Sequence, residues 1–285
     1  MLIVMQNGRV GSTWLQQDLL NSHSQVNCIG ENLGDAGLHL TMPQVRRNYT
    51  KFYGQPVAPG AALCAKQKSS VVFAKGREGI VQKLVAQFDM RVVCLARSNP
   101  VENWFAGVNG AAHQEACGGH RLTQPAKTCY TDADARRVFL DTIWTSTGAG
   151  AGENATTLTR GAKCGIRDNV ESSVEFYDEC SKLYHRDAAR VFWLEYADLS
   201  CHTDAVRAAL LRFLEVEPEG PLVGGTNIKL TADIDTLIPH SDQLAQELAQ
   251  DDYVAPGAFK DALFSADNCH YLEMHPRTAA FCPRS

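Results

Sequence analysis

The chain has 285 residues, of which 45% are hydrophobic and 21% charged, a composition typical of a folded globular protein. Its formal net charge of −5 argues against a nucleic-acid partner, because proteins that bind nucleic acids present a broad basic surface. No apolar run approaches the roughly 20 residues that a bilayer span requires, so we predict no membrane-spanning segment.

Predicted strands and helices alternate along the chain. The apolar run from Leu2 to Met5 indicates a buried strand, and apolar residues at helical spacing predict a helix over 12–21. Further strands are predicted at 26–29, 70–74, 91–96 and 191–194, and further helices at 79–88, 132–144 and 205–214. This alternation predicts an α/β fold: a central, mainly parallel sheet with helices on both faces and a P-loop-like strand–loop–helix at the N-terminus.

The domain organisation follows from one departure from this alternation. Residues from about 107 to 165 are rich in Gly, Ala, Thr and Cys and show little strand pattern. Stretches of this length between regular elements are commonly functional lids. We therefore predict a single domain over residues 1–285, with an insertion or lid at about 107–165.

A glycine-bearing turn, Gly8-Arg9-Val10-Gly11-Ser12-Thr13, lies between the first predicted strand and helix. Backbone N–H groups at a helix N-terminus converge on one spot, and glycines let an oxyanion approach closely. Ser12 and Thr13 add hydroxyl donors, and Arg9 adds a guanidinium. A nucleoside-triphosphate kinase would need a lysine directly before the Ser/Thr pair, where Gly11 stands. The pattern favours an anion-binding turn, with an ordinary glycine turn as the alternative.

Three segments together resemble the PAPS-dependent sulfotransferase superfamily, where PAPS is 3′-phosphoadenosine 5′-phosphosulfate. Residues 9–15, Arg-Val-Gly-Ser-Thr-Trp-Leu, are similar to the family's donor loop, Lys/Arg-x-Gly-Ser/Thr-Thr before a hydrophobic helix. Residues 92–100 are similar to its second signature, a strand that ends in Arg and is followed by Asn-Pro. Residues 196–199, Tyr-Ala-Asp-Leu, are similar to the third, and the three occur in the family's order.

The resemblance implies a sulfotransferase that moves a sulfuryl group from PAPS to a hydroxyl or amine of a small-molecule or carbohydrate acceptor, releasing PAP. No metal is expected. Arg9 stands where the family places its catalytic cation, and Arg97 stands where the family binds the donor's 3′-phosphate. The family's next serine is missing here, so Ser98 or Asn103 is expected to replace it. The other donor-binding residues implied are Val10, Gly11, Ser12, Thr13, Trp14, Tyr196 and Lys229.

Transfer to an alcohol also needs a base to take the proton as the oxygen attacks sulfur. Glu31 follows the predicted second strand, where many relatives carry this base. The resemblance therefore implies that Glu31 is the general base of an in-line transfer. His23 and His39 are weaker candidates, and His23 is expected instead to stabilise the turn after the first helix. A P-loop nucleotide kinase and a non-catalytic nucleotide-binding protein stay open as alternatives. The sequence does not indicate an oligomeric state.

Ten cysteines are many for a cytosolic enzyme. Cys94 lies inside an apolar strand and is predicted to be a plain core residue. Two further groups are open to zinc binding or to a disulfide: His113, Cys117, His120 and Cys129, and Cys269, His270, His275 and Cys282. The apolar start, residues 1–5, is too short for a signal peptide, so a cytoplasmic location is predicted, with a Golgi-type lumen as the alternative if the sequence is part of a longer chain.

Overall fold

A computed structural model of the chain describes five continuous stretches and several isolated positions. These are residues 2–6, 11–28, 62–68, 90–97 and 176–220, with 47, 85, 103, 104, 106–108, 110, 137 and 173. The chain divides into two compact units, Met1–Ala96 with Asp178–Gly225 and Arg97–Tyr177 with Thr226–Ser285. The predicted single domain with a lid at about 107–165 stays a prediction.

Five parallel strands form a sheet in the first unit, in the order β2-β3-β1-β4-β5. They are β1 (Leu2–Gln6), β2 (Val26–Cys28), β3 (Ala62–Lys68), β4 (Arg91–Ala96) and β5 (Val191–Glu195). From β1 the chain moves towards β2 on one side, and from β3 it passes β1 to reach β4 on the other. The neighbouring strands β1 and β3 therefore send their connections in opposite directions. Parallel α/β sheets bind ligands at such a point, outside the carboxyl ends of the strands.

Helices cover both faces of this sheet. They are α1 (Ser12–Trp14), which continues directly into a π-helix (Leu15–Leu20), α2 (176–186), α3 (Tyr196–Cys201) and α4 (Thr203–Phe213). Val93 and Leu95 of β4 share a buried core cluster with leucines of the π-helix and of α4. Cys94 lies between them and faces the opposite side of the strand, where it is bonded to Cys180 of α2. This arrangement confirms the α/β class and the parallel sheet for the described part of the first unit.

Two disulfides are present among the described residues of the first unit. One joins Cys28 of β2 to Cys64 of β3, and the other joins Cys94 of β4 to Cys180 of α2. The prediction that Cys94 is a plain core residue is wrong: its side chain is fully buried, as expected, but it is half of a disulfide. The reason is that α2 crosses the face of β4 on which Cys94 lies, a contact between residues 86 positions apart.

The predicted elements agree with the structure where they fall on described residues. The strands at 2–5, 26–29, 91–96 and 191–194 are found within one or two residues of those bounds, as is the helix at 205–214. The helix predicted over 12–21 is found as α1 and the π-helix. The strand at 70–74 lies outside the described residues, as do the helices at 79–88 and 132–144 apart from single positions. No helix within the described ranges is both long and apolar enough to cross a bilayer.

Candidate functional site

Gly11 opens the helix that follows β1, and its backbone conformation favours glycine over other residues. It has a φ of 77°, in the left-handed region, and its carbonyl accepts the first helical hydrogen bond from the Leu15 N–H at 2.9 Å. A Cβ at this position would lie 2.9 Å and 3.0 Å from two ring carbons of Tyr196, and 3.4 Å from a methyl of Leu199. The glycine is therefore required twice, for its φ and for the close approach of the tyrosine ring.

The residues after Gly11 combine buried and accessible groups at the start of the helix. Ser12 is buried, whereas Thr13 and Trp14 are partly exposed. The Thr13 hydroxyl oxygen accepts a hydrogen bond from the ammonium of Lys66 at 2.7 Å. Lys66 lies on β3, the strand next to β1, and only 8% of the residue is exposed. A positive charge is therefore held beside the turn, at the point where the connections of β1 and β3 diverge.

Lys66 is the site residue that sequence analysis missed. Its strand, β3, has the sequence Ala-Leu-Cys-Ala-Lys-Gln-Lys, whose last three residues are polar. The available signal was a short apolar run ending in a basic pair, since polar residues at the carboxyl end of a parallel strand are placed for ligand binding. The predicted cation, Arg9, lies outside the described residues, as does Val10.

Tyr196 is brought to the turn by the sheet. β5 ends at Glu195, and Tyr196 begins α3, so the Tyr-Ala-Asp-Leu segment starts a helix rather than ending the strand. Tyr196 is 6% exposed, and its ring packs on Gly11. Two residues predicted from separate motifs, 196 and 11, are thus in contact across the first unit.

Arg97 and Asn103 belong to the second unit. Arg97 is the residue directly after β4; it is buried, and its backbone carbonyl accepts a hydrogen bond from the Tyr177 hydroxyl at 3.0 Å. Asn103 is buried in a helical turn. Glu31, His39, Ser98 and Lys229 lie outside the described residues.

His23 has the role that the sequence predicts for it. The ring is buried, and its Nδ1 accepts a hydrogen bond from the Gln25 backbone N–H at 3.1 Å. Since Nδ1 is the acceptor, the proton lies on Nε2, which donates to the Glu217 carbonyl at 2.9 Å. Both ring nitrogens are used in stabilising the turn after the π-helix, which confirms the structural role of His23.

Metal binding was left open for two groups of histidines and cysteines, 113–129 and 269–282, and both lie outside the described residues. Within the ranges that the structure covers, no three His, Cys, Asp or Glu side chains converge on a common point. What this part of the molecule offers instead is a cationic, hydroxyl-bearing turn at the carboxyl edge of a parallel sheet, an arrangement suited to an anionic ligand.

Comparison with known proteins gives only distant likenesses. No protein-family profile matches the sequence, and no curated protein matches it. Similar solved structures include a sulfotransferase from Alicyclobacillus acidocaldarius, with 14% identity and a TM-score of 0.43 over 87% of this chain and 91% of that one. The sulfotransferase domain of the curacin biosynthetic pathway has 14% identity and a TM-score of 0.38, over 83% of this chain and 81% of that one.

A third structure is the sulfotransferase domain of the Synechococcus PCC 7002 olefin synthase, with 14% identity and a TM-score of 0.41. It covers 98% of this chain and 92% of that chain.

Proposed function

We propose that this chain is a sulfotransferase that moves a sulfuryl group from PAPS to a hydroxyl or amine of a small-molecule or carbohydrate acceptor. The observation that carries the proposal is the hydrogen bond from buried Lys66 to Thr13 at the point where β1 and β3 diverge. It holds a cation against the segment that resembles the family's donor loop. The contact between Tyr196 and Gly11 adds support, because it joins the first and third of the resembling segments.

The 5′-phosphosulfate of the donor is assigned to the turn. The backbone N–H groups of residues 10–14 and the hydroxyls of Ser12 and Thr13 are its hydrogen-bond donors. Lys66 and Arg9 supply the positive charge, since the oxygen that leaves sulfur gains negative charge as its bond breaks. Trp14 and Tyr196 provide aromatic surface next to the turn.

The other half of the donor is assigned by resemblance alone. Arg97 is expected to bind the 3′-phosphate, together with Ser98 or Asn103. Lys229 is expected to bind the nucleotide from the C-terminal part of the chain. The proposal does not use any distance between these residues and the turn. A substitution at each of them is therefore tested separately by its effect on PAP affinity.

The reaction assigned to the site is an in-line displacement at sulfur. The acceptor oxygen or nitrogen forms a bond to sulfur while the bond between sulfur and the 5′-phosphate oxygen breaks, which releases PAP. Glu31 takes the proton of the acceptor. The chemistry requires cations and N–H donors around the leaving phosphate rather than a metal.

A ligand test separates this proposal from a nucleotide kinase. We expect PAP to raise the midpoint of thermal unfolding, because a ligand that binds only the folded state stabilises it. If ATP with magnesium raises the midpoint and PAP does not, the chain is a kinase rather than a sulfotransferase. If PAP binds but labelled PAPS labels none of a panel of phenols, alcohols, amines and glycans, the chain binds nucleotide without catalysis.

The contribution of Lys66 is tested with a matched pair of variants. Lys66→Met removes a buried charge-assisted donor, and we expect PAP affinity to fall about ten- to a hundredfold. Lys182→Met removes an equivalent charge from a side chain that is 62% exposed on α2, and we expect PAP affinity to be unchanged. Equal PAP affinity in both variants would remove Lys66 from the site.

A further inference from the structure

The π-helix (Leu15–Leu20) is hydrogen-bonded to the residues of one disulfide near both of its ends. Near its start, the Gln16 amide nitrogen donates to the sulfur of Cys64 at 3.7 Å, and Gln16 is only 1% exposed. At its end, the Asn21 side chain binds both backbone groups of Cys28. Its oxygen accepts from the Cys28 N–H at 2.6 Å, and its nitrogen donates to the Cys28 carbonyl at 3.4 Å. Cys28 and Cys64 are bonded to each other.

The disulfide also lies in the strand that carries the cation of the site. Cys28 and Cys64 are direct register partners in β2 and β3, with Cα atoms 4.3 Å apart. Lys66 is two residues after Cys64, so both side chains lie on the same face of β3. From that face Lys66 donates to Thr13. The π-helix is therefore hydrogen-bonded to both halves of the disulfide, and the lysine that contacts Thr13 lies two residues after one of them.

The packing around the bond makes this connection stiff. Cys28 and Cys64 are 2% and 1% exposed, and both belong to the core cluster that contains Leu15 and Leu19 of the π-helix. β2 has only three residues, so few ladder hydrogen bonds hold it to β3. The covalent bond supplies the constraint that so short a strand lacks.

We infer that the Cys28–Cys64 disulfide positions the start of the helix at Gly11–Thr13, here called the donor turn because it is proposed to bind the sulfuryl donor. The oxidised chain is then the form that binds the sulfated nucleotide tightly. The inference rests on the proposed function, and it adds a dependence of donor affinity on the thiol–disulfide state. In the reaction that breaks the bond, a dithiol gives two electrons and two protons to the cystine. The dithiol reagent becomes a cyclic disulfide, and the protein is left with two cysteine thiols.

The second disulfide provides an internal control. Cys94–Cys180 joins β4 to α2 on the other face of the sheet, and Cys94 points away from the π-helix. It closes a longer stretch of chain, with a sequence separation of 86 against 36. Loss of Cys94–Cys180 should therefore lower general stability at least as much as loss of Cys28–Cys64, without moving the donor turn.

The test compares two double variants by calorimetric titration with PAP. We expect C28A/C64A to bind PAP about tenfold more weakly than the wild type, within the range usual for coupling between two sites. We expect C94A/C180A to lose less PAP affinity than C28A/C64A, because the Cys94–Cys180 bond lies on the face of β4 away from the π-helix and can act on PAP only through Arg97. With PAPS as variable substrate, C28A/C64A should show a raised KM and a smaller change in kcat. Equal PAP affinity in C28A/C64A and wild type overturns the inference.

A second measurement decides the case in which C28A/C64A does not fold. Wild-type protein is equilibrated in dithiothreitol redox buffers with and without PAP, and the thiols are counted by alkylation and mass spectrometry. Because coupling is reciprocal, PAP should make Cys28–Cys64 about tenfold harder to reduce and should protect Cys94–Cys180 less. Equal protection of both bonds, or of neither, overturns the inference. If oxidised wild-type protein fails to bind PAP at all, the proposed function fails instead.

Discussion

Gly11→Ala tests the geometry of the turn directly, and its cost follows from two separate effects. An alanine at a φ of 77° has left-handed backbone strain of about 1–2 kcal/mol. Its methyl would lie 2.9 Å from the Tyr196 ring, and overpacking of a close-packed contact costs about 1–3 kcal/mol. We therefore expect Gly11→Ala to lower the free energy of unfolding by about 2–5 kcal/mol, measured by urea denaturation.

The two effects separate in a double-mutant cycle with Tyr196. In a Tyr196→Ala background the ring is gone, so Gly11→Ala should cost only the backbone strain of about 1–2 kcal/mol. Tyr196→Phe is the matched control: it keeps the two ring carbons near Gly11, and the full cost should remain. The reasoning is refuted if Gly11→Ala costs the same in the wild-type and Tyr196→Ala backgrounds, or costs less than about 0.5 kcal/mol in the wild type.

Substitutions at three further positions test other parts of the first unit. Glu215 follows α4 with a φ of 59°, and its carboxylate pairs with Arg91. Glu215→Gly and Glu215→Ala both lose this ion pair, but only the alanine keeps the backbone strain. We therefore expect Glu215→Gly to be about 1 kcal/mol more stable than Glu215→Ala in urea denaturation. The Ser24 hydroxyl, and then the Ser24 N–H, donate hydrogen bonds to the Glu219 carboxylate and lower the pKa of Glu219 below the usual 4.5. The stabilisation from these hydrogen bonds is therefore present above pH 4.5 and is lost as the pH falls through the lowered pKa. Ser24→Ala should therefore destabilise the protein more at pH 7 than at pH 3 in urea titrations, and equal destabilisation at both would contradict this. Lys66→Met removes the hydrogen bond to Thr13, so it should lower the free energy of unfolding by about 1–3 kcal/mol while PAP affinity falls; a loss above about 4 kcal/mol would indicate a structural lysine.

The elements that the sequence predicts well are those whose local pattern and final environment agree. β4 is apolar without a break from Val92 to Ala96, and that stretch is buried on both faces. α4 has Val206, Leu210 and Leu211 on one face, as helical periodicity requires. In both elements, the nearest neighbours in sequence are enough to fix the structure.

β3 was missed because its residues serve the site as well as the sheet. A lysine that follows a short apolar run and precedes Gln-Lys is typical of a surface position, whereas Lys66 is buried against Thr13. The buried hydrogen bond from Lys66 to Thr13 overrides the low strand propensity of lysine at this position. The same conflict makes Lys66 recognisable as a site residue once the sheet order is known.

The disulfides and the tyrosine contact depend on topology rather than on local sequence. Cys28 and Cys64 become neighbours only because β2 and β3 are adjacent, and ten cysteines allow many pairings. Tyr196 reaches Gly11 from the far side of β4, since β5 and β1 are not paired. The sequence motifs predicted that both residues bind the sulfuryl donor, but only the three-dimensional fold shows that the two residues are in contact.

The Asn21 side chain has a consequence for how this protein behaves in a crowded solution. β2 is the outermost strand of the described sheet, and such a strand normally offers open backbone groups to any extended peptide. At Cys28 both groups are already taken by the Asn21 amide, which imitates the backbone of a further strand. A visiting chain would have to displace an intramolecular partner before it could add to the sheet, so this amide works against aggregation at that edge.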